Sequence, residues 1–357
     1  MSTRTTAGHP AAISLSPLRG ILVGCGYIAT QQLDAWSQID EVEIVALVDV
    51  DEAKARFQAD RCGISATYSD LSSALEKHNV DFVDIATPPP THLDLVRISV
   101  EAGAHVLCQK PLAPSLGEID EMVDIADDAG VQLVVNENMR FQPWFLRMKE
   151  LIEPGPIGRP FYVHWSSRAR LTMPAVRFDD QPYFATMPRL AIYELGVHFF
   201  DTMRFLFGEP LALSAALGRA SSDIAGEDHA AVLVSYDDLI AIMDISWASI
   251  PTYSLTDAVS WAVATVEGEG GTMHLSIDGR LRVITDDSDE VFEFGSDPIG
   301  DSFIDMQRRF VQCVSSGVDC ETSAREYAKT MELVFGSYAS AADQQVYRVG
   351  EDRGGLL

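Results

Sequence analysis

Short apolar runs alternate with longer amphipathic segments from residue 19 to about residue 135. The runs are ILVG, VEIVALVD, DFVDIAT, HVLCQ and VQLVV, and they are rich in residues typical of buried strands. Between them, segments such as 53–59, 91–102 and 116–129 place apolar residues at helical spacing. Because strand-like and helical patterns take turns, the sequence predicts βαβ units and a doubly wound, parallel sheet.

After residue 140 the pattern changes to strand-like runs joined by short polar turns. These runs are PIGRPFYVHW, HAAVLVSY, LIAIMDISW, WAVATVEGEGGTMHLSI and RLRVIT. One helix is expected over 189–207, ended by Gly208 and Pro210, and two more over 301–342. The predicted fold class is an α/β domain followed by an α+β domain with an open, mostly antiparallel sheet.

The length of 357 residues exceeds what one hydrophobic core usually serves, so two domains are expected. Residues 1–18 lack the apolar stretch of a secretion signal and are interpreted as a flexible tail. We place the first domain at 19–145 and the second at 146–357, with the last helix able to pack back on the first domain. The longest apolar stretches are broken by charges such as Asp244 and Asp257, so no membrane span is expected.

The charge balance excludes some partners. With 26 basic and 53 acidic side chains the net charge is −27, which disfavours binding to nucleic acids and to anionic membranes. Lysine is scarce, which suits a salt-rich cytoplasm but also follows from a biased genome composition, and both explanations stay open. The five cysteines are scattered and never at CxxC spacing, so we expect a reducing, cytoplasmic compartment and no zinc knuckle.

A glycine-rich motif follows the first strand-like run and opens a helix. Its residues are Gly24, Gly26, Tyr27, Ile28 and Ala29. Glycines at this spacing allow a pyrophosphate to approach the backbone at a helix N-terminus, although a tight strand-to-helix turn without a ligand is the alternative. Asp49 ends the second run, where a carboxylate can bind both ribose hydroxyls and repel a 2′-phosphate. The combination predicts NAD as cofactor, with NADP disfavoured.

Three further groups of polar residues stand out, two just after predicted strands and one within a predicted helix. They are Thr87, Pro88 and His92 in TPPPTH, Gln109 and Lys110 in CQKP, and Glu194, His198 and Asp201 in the 189–207 helix. Together with the glycine motif, in this order, they resemble the glucose-fructose oxidoreductase and inositol dehydrogenase family (Gfo/Idh/MocA). The resemblance covers about residues 21–342. CQKP and QPYFATMPR are also similar to the D-apiose dehydrogenase branch of that family.

The resemblance implies a Rossmann domain, a second domain on an open sheet, and NAD(P)-dependent oxidation of sugars or polyols. It implies that Lys110 hydrogen-bonds the reacting hydroxyl and that the loop at 87–92 lies along the cofactor, with His92 packing or capping rather than reacting. Two residues depart from the family pattern, because Gln109 stands where Glu is usual and Glu194 where Asp is usual. The first departure leaves the charge state of Lys110 open.

The polar stripe on the predicted helix has a chemical interpretation of its own. His198 is expected to act as general base, with Glu194 orienting it or hydrogen-bonding to it. A buried histidine that merely satisfies its hydrogen bonds is the alternative. We expect no metal site, because no HExxH or His/Cys cluster completes a ligand set.

Substrate contacts are expected from two segments. One is NENMRFQPW, with Asn138 and Arg140, for which a helix cap is the alternative. The other carries four arginines beside aromatic residues, namely Arg168, Arg170, Arg177 and Arg189 with Trp165, Tyr183 and Phe184. Arginines and aromatic faces suit polyhydroxylated or carboxylated sugars, although pairing with the abundant acids is the alternative.

The sequence thus predicts an NAD-dependent sugar or polyol dehydrogenase, with the substrate hydroxyl between Lys110 and His198. D-Apiose or a similar pentose is a candidate substrate. A catalytically silent NAD-sensing regulator and a redox-neutral enzyme with tightly bound NAD remain as alternatives. We further expect a homodimer or homotetramer, because LIAIMDISW is too apolar on alternate residues to leave a sheet face in water.

Overall fold

The computed structural model describes residues 17–152, 154–253 and 258–356. Its first sheet has six parallel strands in the order β3-β2-β1-β4-β5-β6. They are β1 (Leu18–Val23), β2 (Val42–Val48), β3 (Thr67–Tyr68), β4 (Phe82–Ile85), β5 (His105–Gln109) and β6 (Leu133–Asn136). The strand order reverses between β1 and β4, so a crevice opens there at the carboxyl ends of the strands. This confirms the predicted doubly wound sheet.

Five helices connect and cover these strands, and a sixth follows β6 and packs on a later helix, Val197–Phe207. They are α1 (Tyr27–Trp36), α2 (Glu52–Cys62), α3 (Leu71–Leu75), α4 (His92–Glu101), α5 (Leu116–Ala129) and α6 (Pro143–Leu151). Local sequence sets their ends: Ser115 caps α5 by accepting a hydrogen bond from the backbone N–H of Glu118, and Gly130 ends it in a left-handed conformation. Amphipathic helices of this kind bury their apolar stripes on the sheet.

The second sheet has nine strands in the order β14-β13-β12-β11-β7-β10-β9-β8-β15. They are β7 (Pro160–Arg168), β8 (Ala212–Gly218), β9 (His229–Ser235), β10 (Ile240–Ser246), β11 (Val263–Gly268), β12 (Gly271–Leu275), β13 (Leu281–Thr285), β14 (Asp289–Phe292) and β15 (Tyr347–Arg348). Every pair is antiparallel except β7 with β10. The predicted mostly antiparallel sheet is confirmed.

Three helices belong to this second half: α7 (Val197–Phe207), α8 (Pro298–Ser316) and α9 (Ala324–Asp343). Alternate residues of β10 have opposite environments, since Met243 is buried whereas Ile240 is 50% exposed. Leu233 on the neighbouring strand is 43% exposed. One face of the sheet therefore forms the core, and the face that carries Leu233 and Ile240 is open to solvent.

The two C-terminal helices return to the first sheet. Helix α8 packs on α1, and α9 packs on α5 and β6. The backbone N–H of Val135 donates to the carbonyl of Thr322 at 2.8 Å. Because β6 thus lies next to the chain segment that leads into α9, residues of α9 reach the carboxyl end of the first sheet.

None of the helices in the described part of the chain is both long and apolar enough to cross a membrane.

Candidate active site

The glycine loop has the geometry of an anion-binding turn. Gly24 has a φ of +93°, and a Cβ there would lie 2.7 Å from the carbonyl oxygen of Ala86. At Gly26 the added atom would meet nothing within 4 Å. Helix α1 has neither a side-chain cap nor an acidic residue in its first turn, so its N-terminal N–H groups remain available to a ligand. A dinucleotide pyrophosphate fits this turn.

Asp49 ties the glycine loop to the end of β2. Its Oδ2 accepts from the backbone N–H of Cys25 at 2.7 Å, and its Oδ1 accepts from that of Asp51 at 2.8 Å. Each carboxylate oxygen has a second lone pair, so these bonds leave acceptors for ribose hydroxyls. Nearby, Tyr27 is half exposed and Ile28 is partly buried. The residues therefore fit the adenosine end of NAD.

The loop after β4 is joined to the loop after β5 by His92. Its ring is fully buried, with Nδ1 2.9 Å from the carbonyl of Leu112 and Nε2 2.8 Å from that of Thr87. Burial lowers the pKa of His92, although both carbonyl contacts oppose this effect. Thr87 is braced by its hydroxyl contact with Thr91, next to Pro88. His92 therefore positions two loops, as expected for a packing residue.

Lys110 has its acidic partner in an unexpected place. Its Nζ donates to Oε2 of Glu194 at 3.1 Å and to the main-chain carbonyl of Glu194 at 3.0 Å. The side chain of Gln109 instead accepts from the backbone N–H of Lys110 at 2.7 Å. The sequence predicted that Glu194 orients or hydrogen-bonds His198, so the pairing of Glu194 with Lys110 corrects that prediction. Its consequence is that a buried carboxylate still faces the ammonium group.

A backbone irregularity explains the correction. The sequence predicts Glu194 and His198 one turn apart on a single α-helix, but a π-helical turn occupies Ile192–Gly196, just before α7. A π-helix holds more residues per turn, so side chains four residues apart no longer stack as they do on an α-helix. Glu194 consequently turns to Lys110 and leaves His198 to another partner.

That partner is Glu137, which the sequence analysis missed. Nδ1 of His198 lies 2.6 Å from Oε1 of Glu137, and both side chains are almost fully buried. Burial alone would raise the pKa of Glu137, but His198, the backbone N–H of Met139 and the charge of Lys110 together hold it below its usual range. The signal available in the sequence was an acidic residue at the end of an apolar strand, in NENMRF.

Arg140 does not face the site, contrary to the sequence prediction. Its guanidinium donates two hydrogen bonds of 2.6 Å to the carboxylate of Asp201, and the pair is buried. Asp201 also accepts from the hydroxyl of Thr330 on α9. A buried arginine is tolerated when a carboxylate satisfies it in this bidentate manner. We therefore interpret Arg140 and Asp201 as structural.

Three other predicted substrate contacts lie elsewhere. Asn138 donates to the hydroxyl of Ser302 on α8 at 2.8 Å. Trp165 is 4% exposed and stacks on Phe199 in the core, because it falls on the covered face of the second sheet. Arg168 falls on the other face, where it pairs with Asp244. Trp165 therefore packs in the core, Arg168 pairs with an acid, and Asn138 bonds to α8, so none of the three is placed to bind the substrate.

Tyr183 is within electrostatic reach of Glu194, the partner of Lys110, and Arg189 contacts the loop that follows Lys110. Tyr183 is 37% exposed, and burial followed by the charge of Glu194 raises its pKa. Arg189 donates to the carbonyl of Pro114 at 3.1 Å and stacks over the ring of Phe335, so it braces the loop after Lys110. Tyr183 therefore remains a candidate substrate contact, whereas Arg189 has a bracing role.

An aromatic residue that the sequence did not single out stands beside His198. The indole of Trp261 is 53% exposed, and its centroid lies 6.3 Å from that of the imidazole in an edge-on arrangement. The hydroxyl of Ser167 donates to the carbonyl of Trp261 at 2.7 Å, which anchors its backbone. An exposed indole beside an imidazole can pack against the C–H face of a sugar ring.

The glycine turn, Asp49, Lys110 and His198 together define an oxidoreductase that uses a dinucleotide. The chain matches the family model described as "Oxidoreductase family, NAD-binding Rossmann fold" over residues 18–137. It also matches the GFO/IDH/MocA C-terminal domain over residues 145–274. The chain belongs to the Gfo/Idh/MocA oxidoreductase family, and its first domain is an NAD-binding domain.

Relatives extend over nearly the whole chain. D-Apiose dehydrogenase of Paraburkholderia graminis is 35% identical, with 91% of this chain and 88% of the relative covered. D-Apiose dehydrogenase of Rhizobium rhizogenes is 32% identical, with 95% and 99% covered. The crystal structure of an oxidoreductase from Agrobacterium radiobacter, in complex with NAD+, L-tartaric acid and magnesium, superimposes with a TM-score of 0.87 at 30% identity, covering 96% of this chain and all of that one.

Proposed function

We propose that this chain is an NAD-dependent dehydrogenase that oxidises a hydroxyl group of a sugar or polyol, with D-apiose or a similar pentose as the leading substrate. The observation that carries the proposal is the placement of two proton-handling groups at the carboxyl ends of β5 and β6, the edge of the sheet at which the glycine loop follows β1. Lys110 is held on the buried carboxylate of Glu194, and His198 on that of Glu137. The names of the two relatives that are 35% and 32% identical over 91% and 95% of this chain support the choice of sugar.

The chemistry follows from the charges of these groups. Bound NAD supplies the hydride acceptor. The ammonium of Lys110 hydrogen-bonds the reacting hydroxyl and stabilises the negative charge that grows on its oxygen. Nε2 of His198 accepts the hydroxyl proton, because Nδ1 is engaged with Glu137. Tyr183 and Trp261 are proposed to flank the substrate.

NAD rather than NADP is the proposed cofactor. The carboxylate of Asp49, held at the end of β2 by two backbone N–H groups, would repel a 2′-phosphate while accepting from ribose hydroxyls. Asp51 two residues further on adds a second negative charge.

The experiment that tests the function is a turnover screen with purified enzyme, NAD and a panel of D-apiose, other pentoses, inositols and L-tartrate. NADH formation is followed by absorbance, and His198→Ala serves as the inactive control. We expect the highest kcat/KM for D-apiose or another pentose. Turnover of no sugar or polyol at saturating NAD would overturn the proposal.

We also propose that the open face of the second sheet joins copies of the chain into a homodimer or homotetramer in the cytoplasm. Leu233 and Ile240 stand out from this face, and the five cysteines are unpaired, as a reducing compartment favours. Leu233→Lys should yield monomers in light scattering, whereas Ile250→Lys, on a residue outside the sheet that is even more exposed (71% against 43%), should not. A wild-type monomer at micromolar concentration and high salt contradicts the assembly.

A further inference from the structure

We propose that Glu137 is the positioning residue of His198 and that Tyr327, from the C-terminal helix α9, holds Glu137 in place. This inference rests on the proposed function, and it adds two residues and one helix to the machinery of the same site. Its consequence is that the last helix of the chain takes part in catalysis although it begins more than 100 residues after His198.

The hydrogen bonds of Glu137 leave His198 a single arrangement. Oε1 of Glu137 accepts from the backbone N–H of Met139 at 3.0 Å and contacts Nδ1 of His198 at 2.6 Å. Oε2 accepts from the hydroxyl of Tyr327 at 3.0 Å. An ionised carboxylate only accepts hydrogen bonds, so Nδ1 of His198 must carry the proton. The lone pair of the imidazole then lies on Nε2.

Burial makes this arrangement rigid. Glu137 and Tyr327 are each at most 1% exposed, and His198 is 4% exposed. A carboxylate without donors would be costly at this depth, whereas three donors from three chain segments offset the loss of water. The segments are the end of β6, helix α7 and helix α9, so the imidazole is fixed to both halves of the molecule.

The other charged groups around Glu137 and His198 have partners of their own. Glu137 is influenced by Lys110, and Asp201 on α7 is neutralised by Arg140. Glu194, the remaining acid near the site, is paired with Lys110. Glu137 is therefore the carboxylate in direct contact with the imidazole among the described residues.

The same contact acts during the reaction. As the substrate hydroxyl is oxidised, the O–H proton passes to Nε2 of His198 and the hydrogen on the carbon leaves as hydride to the bound NAD, so the substrate loses two hydrogens and one electron pair in all. The imidazolium that forms donates through Nδ1 to Glu137, whose negative charge stabilises it. The proton then leaves from Nε2 to water, which restores the neutral imidazole.

Two variants test the proposal beside a control, each assayed for kcat/KM as a function of pH. Glu137→Gln removes the charge, so kcat/KM should fall by about 10²- to 10⁴-fold and the acidic limb of the profile should move to lower pH. Tyr327→Phe keeps the charge but removes one donor, so we expect a loss of roughly tenfold and a limb that moves to higher pH. Opposite movements are not expected from structural damage.

The matched control is Tyr347→Phe, which removes the 3.1 Å hydrogen bond from another buried tyrosine to Glu332 of the same helix α9. Its kcat/KM and pH profile should match the wild type. An acidic limb that stays in place in both Glu137→Gln and Tyr327→Phe overturns the inference. If Glu137→Gln does not fold, the inference is tested by Tyr327→Phe alone: an acidic limb that moves to higher pH supports it, and one that stays in place overturns it.

A second readout does not depend on the substrate. Nitrogen-15 NMR of labelled histidine, in enzyme without substrate, reports which ring nitrogen of His198 carries the proton. We expect the Nδ1-protonated form in the wild type and a mixture of tautomers in Glu137→Gln. The Nε2-protonated form in the wild type would refute the role of Glu137, while a failed sugar screen with the expected tautomer would refute the proposed function alone.

Discussion

The ammonium of Lys110 lies 3.1 Å from Oε2 of Glu194, which is 84 residues away in sequence, whereas the residue next to Lys110 is the uncharged Gln109. The family resemblance places a Glu at position 109, so a neutral side chain there removes one negative charge from the surroundings of Lys110. Glu194 supplies a carboxylate to the same ammonium from another element, the π-helical turn before α7. Because the resemblance places an acid at position 194 as well, this site keeps one of the two acids implied near Lys110, and Glu194 is the one in contact with the ammonium.

Replacing Lys110 should lower kcat much more than replacing Glu194. Lys110→Ala is expected to lower kcat by about 10²- to 10⁴-fold, because it removes the donor to the reacting oxygen. Glu194→Gln should cost roughly tenfold, because it removes a charge and keeps a polar side chain. NAD affinity, measured by fluorescence titration, should stay unchanged in both, and Lys77→Ala serves as a control on an exposed lysine. Equal losses in the two variants would contradict these roles.

The missing acid at position 109 also predicts a rescue. Gln109→Glu returns an acid beside Lys110, so combined with Glu194→Gln it should recover part of the activity that Glu194→Gln loses. Gln109→Glu alone should have little effect, since Glu194 already balances the ammonium. Steady-state kinetics of the two single variants and the double variant check this. A double variant no better than Glu194→Gln indicates that the carboxylate position matters more than the charge.

Asp49 should decide between NAD and NADP. Asp49→Ala removes the charge that repels a 2′-phosphate and the acceptor for ribose hydroxyls, so NAD binding should weaken by about tenfold while NADP binding improves. Asp51→Ser is the comparison, because serine keeps the N-cap that Asp51 provides to the backbone N–H of Ala53, and its gain in NADP binding should be smaller than that of Asp49→Ala. Calorimetric titration of both cofactors gives the ratio. A wild-type enzyme that binds NADP as tightly as NAD is incompatible with the assignment.

The hydrophobic pattern predicts most of the fold because buried strands and amphipathic helices leave clear periodicities. It misses β3, which has two residues and therefore no period. It also does not reveal that β7 and β10 pair in parallel, because that neighbourhood depends on contacts between segments about 80 residues apart. Element types are thus local properties of this sequence, whereas the order of the second sheet is not.

The site shows the same division. Lys110, Glu194 and His198 stand out because each is polar within apolar surroundings, but their partners depend on tertiary structure. Arg140 resembles a free cation in a lysine-poor chain until its partner Asp201, 61 residues away, is placed beside it. Glu137 looks like a loop residue in NENMRF, and the π-helical turn that separates Glu194 from His198 has no periodic signature of its own.

Arg140 should affect stability rather than substrate binding. Arg140→Gln leaves the buried carboxylate of Asp201 without its bidentate partner, which should lower the free energy of unfolding by about 3 to 5 kcal/mol. Combining it with Asp201→Asn removes the unpaired charge and should return part of that loss. Chemical denaturation measures the stability, and KM of the folded fraction should stay near the wild-type value. A large rise in KM without loss of stability would restore Arg140 to the substrate site.

Asp84 should make stability depend on pH. Its carboxyl is fully buried on β4 and accepts one hydrogen bond from the indole of Trp36 at 2.7 Å. Burial raises its pKa from 3.8 to about 7, although the bond from Trp36 opposes the rise. The folded protein therefore holds a proton that the unfolded chain has lost, and stability falls as the pH rises from about 4 to about 7.

Asp84→Asn removes this titration while keeping the shape of the side chain. The free energy of unfolding of the variant minus that of the wild type should therefore rise by roughly 3 kcal/mol from about pH 5 to about pH 8. Asp228→Asn is the contrasting control. Burial alone would raise the pKa of Asp228, but the backbone N–H of Ala220 and contacts with His229, Ser221 and Thr172 hold it below its usual range. The stability difference of that variant should therefore stay flat over the same interval. Urea titrations at the two pH values measure both, and a flat difference for Asp84→Asn would show that the buried carboxyl titrates as an exposed one does.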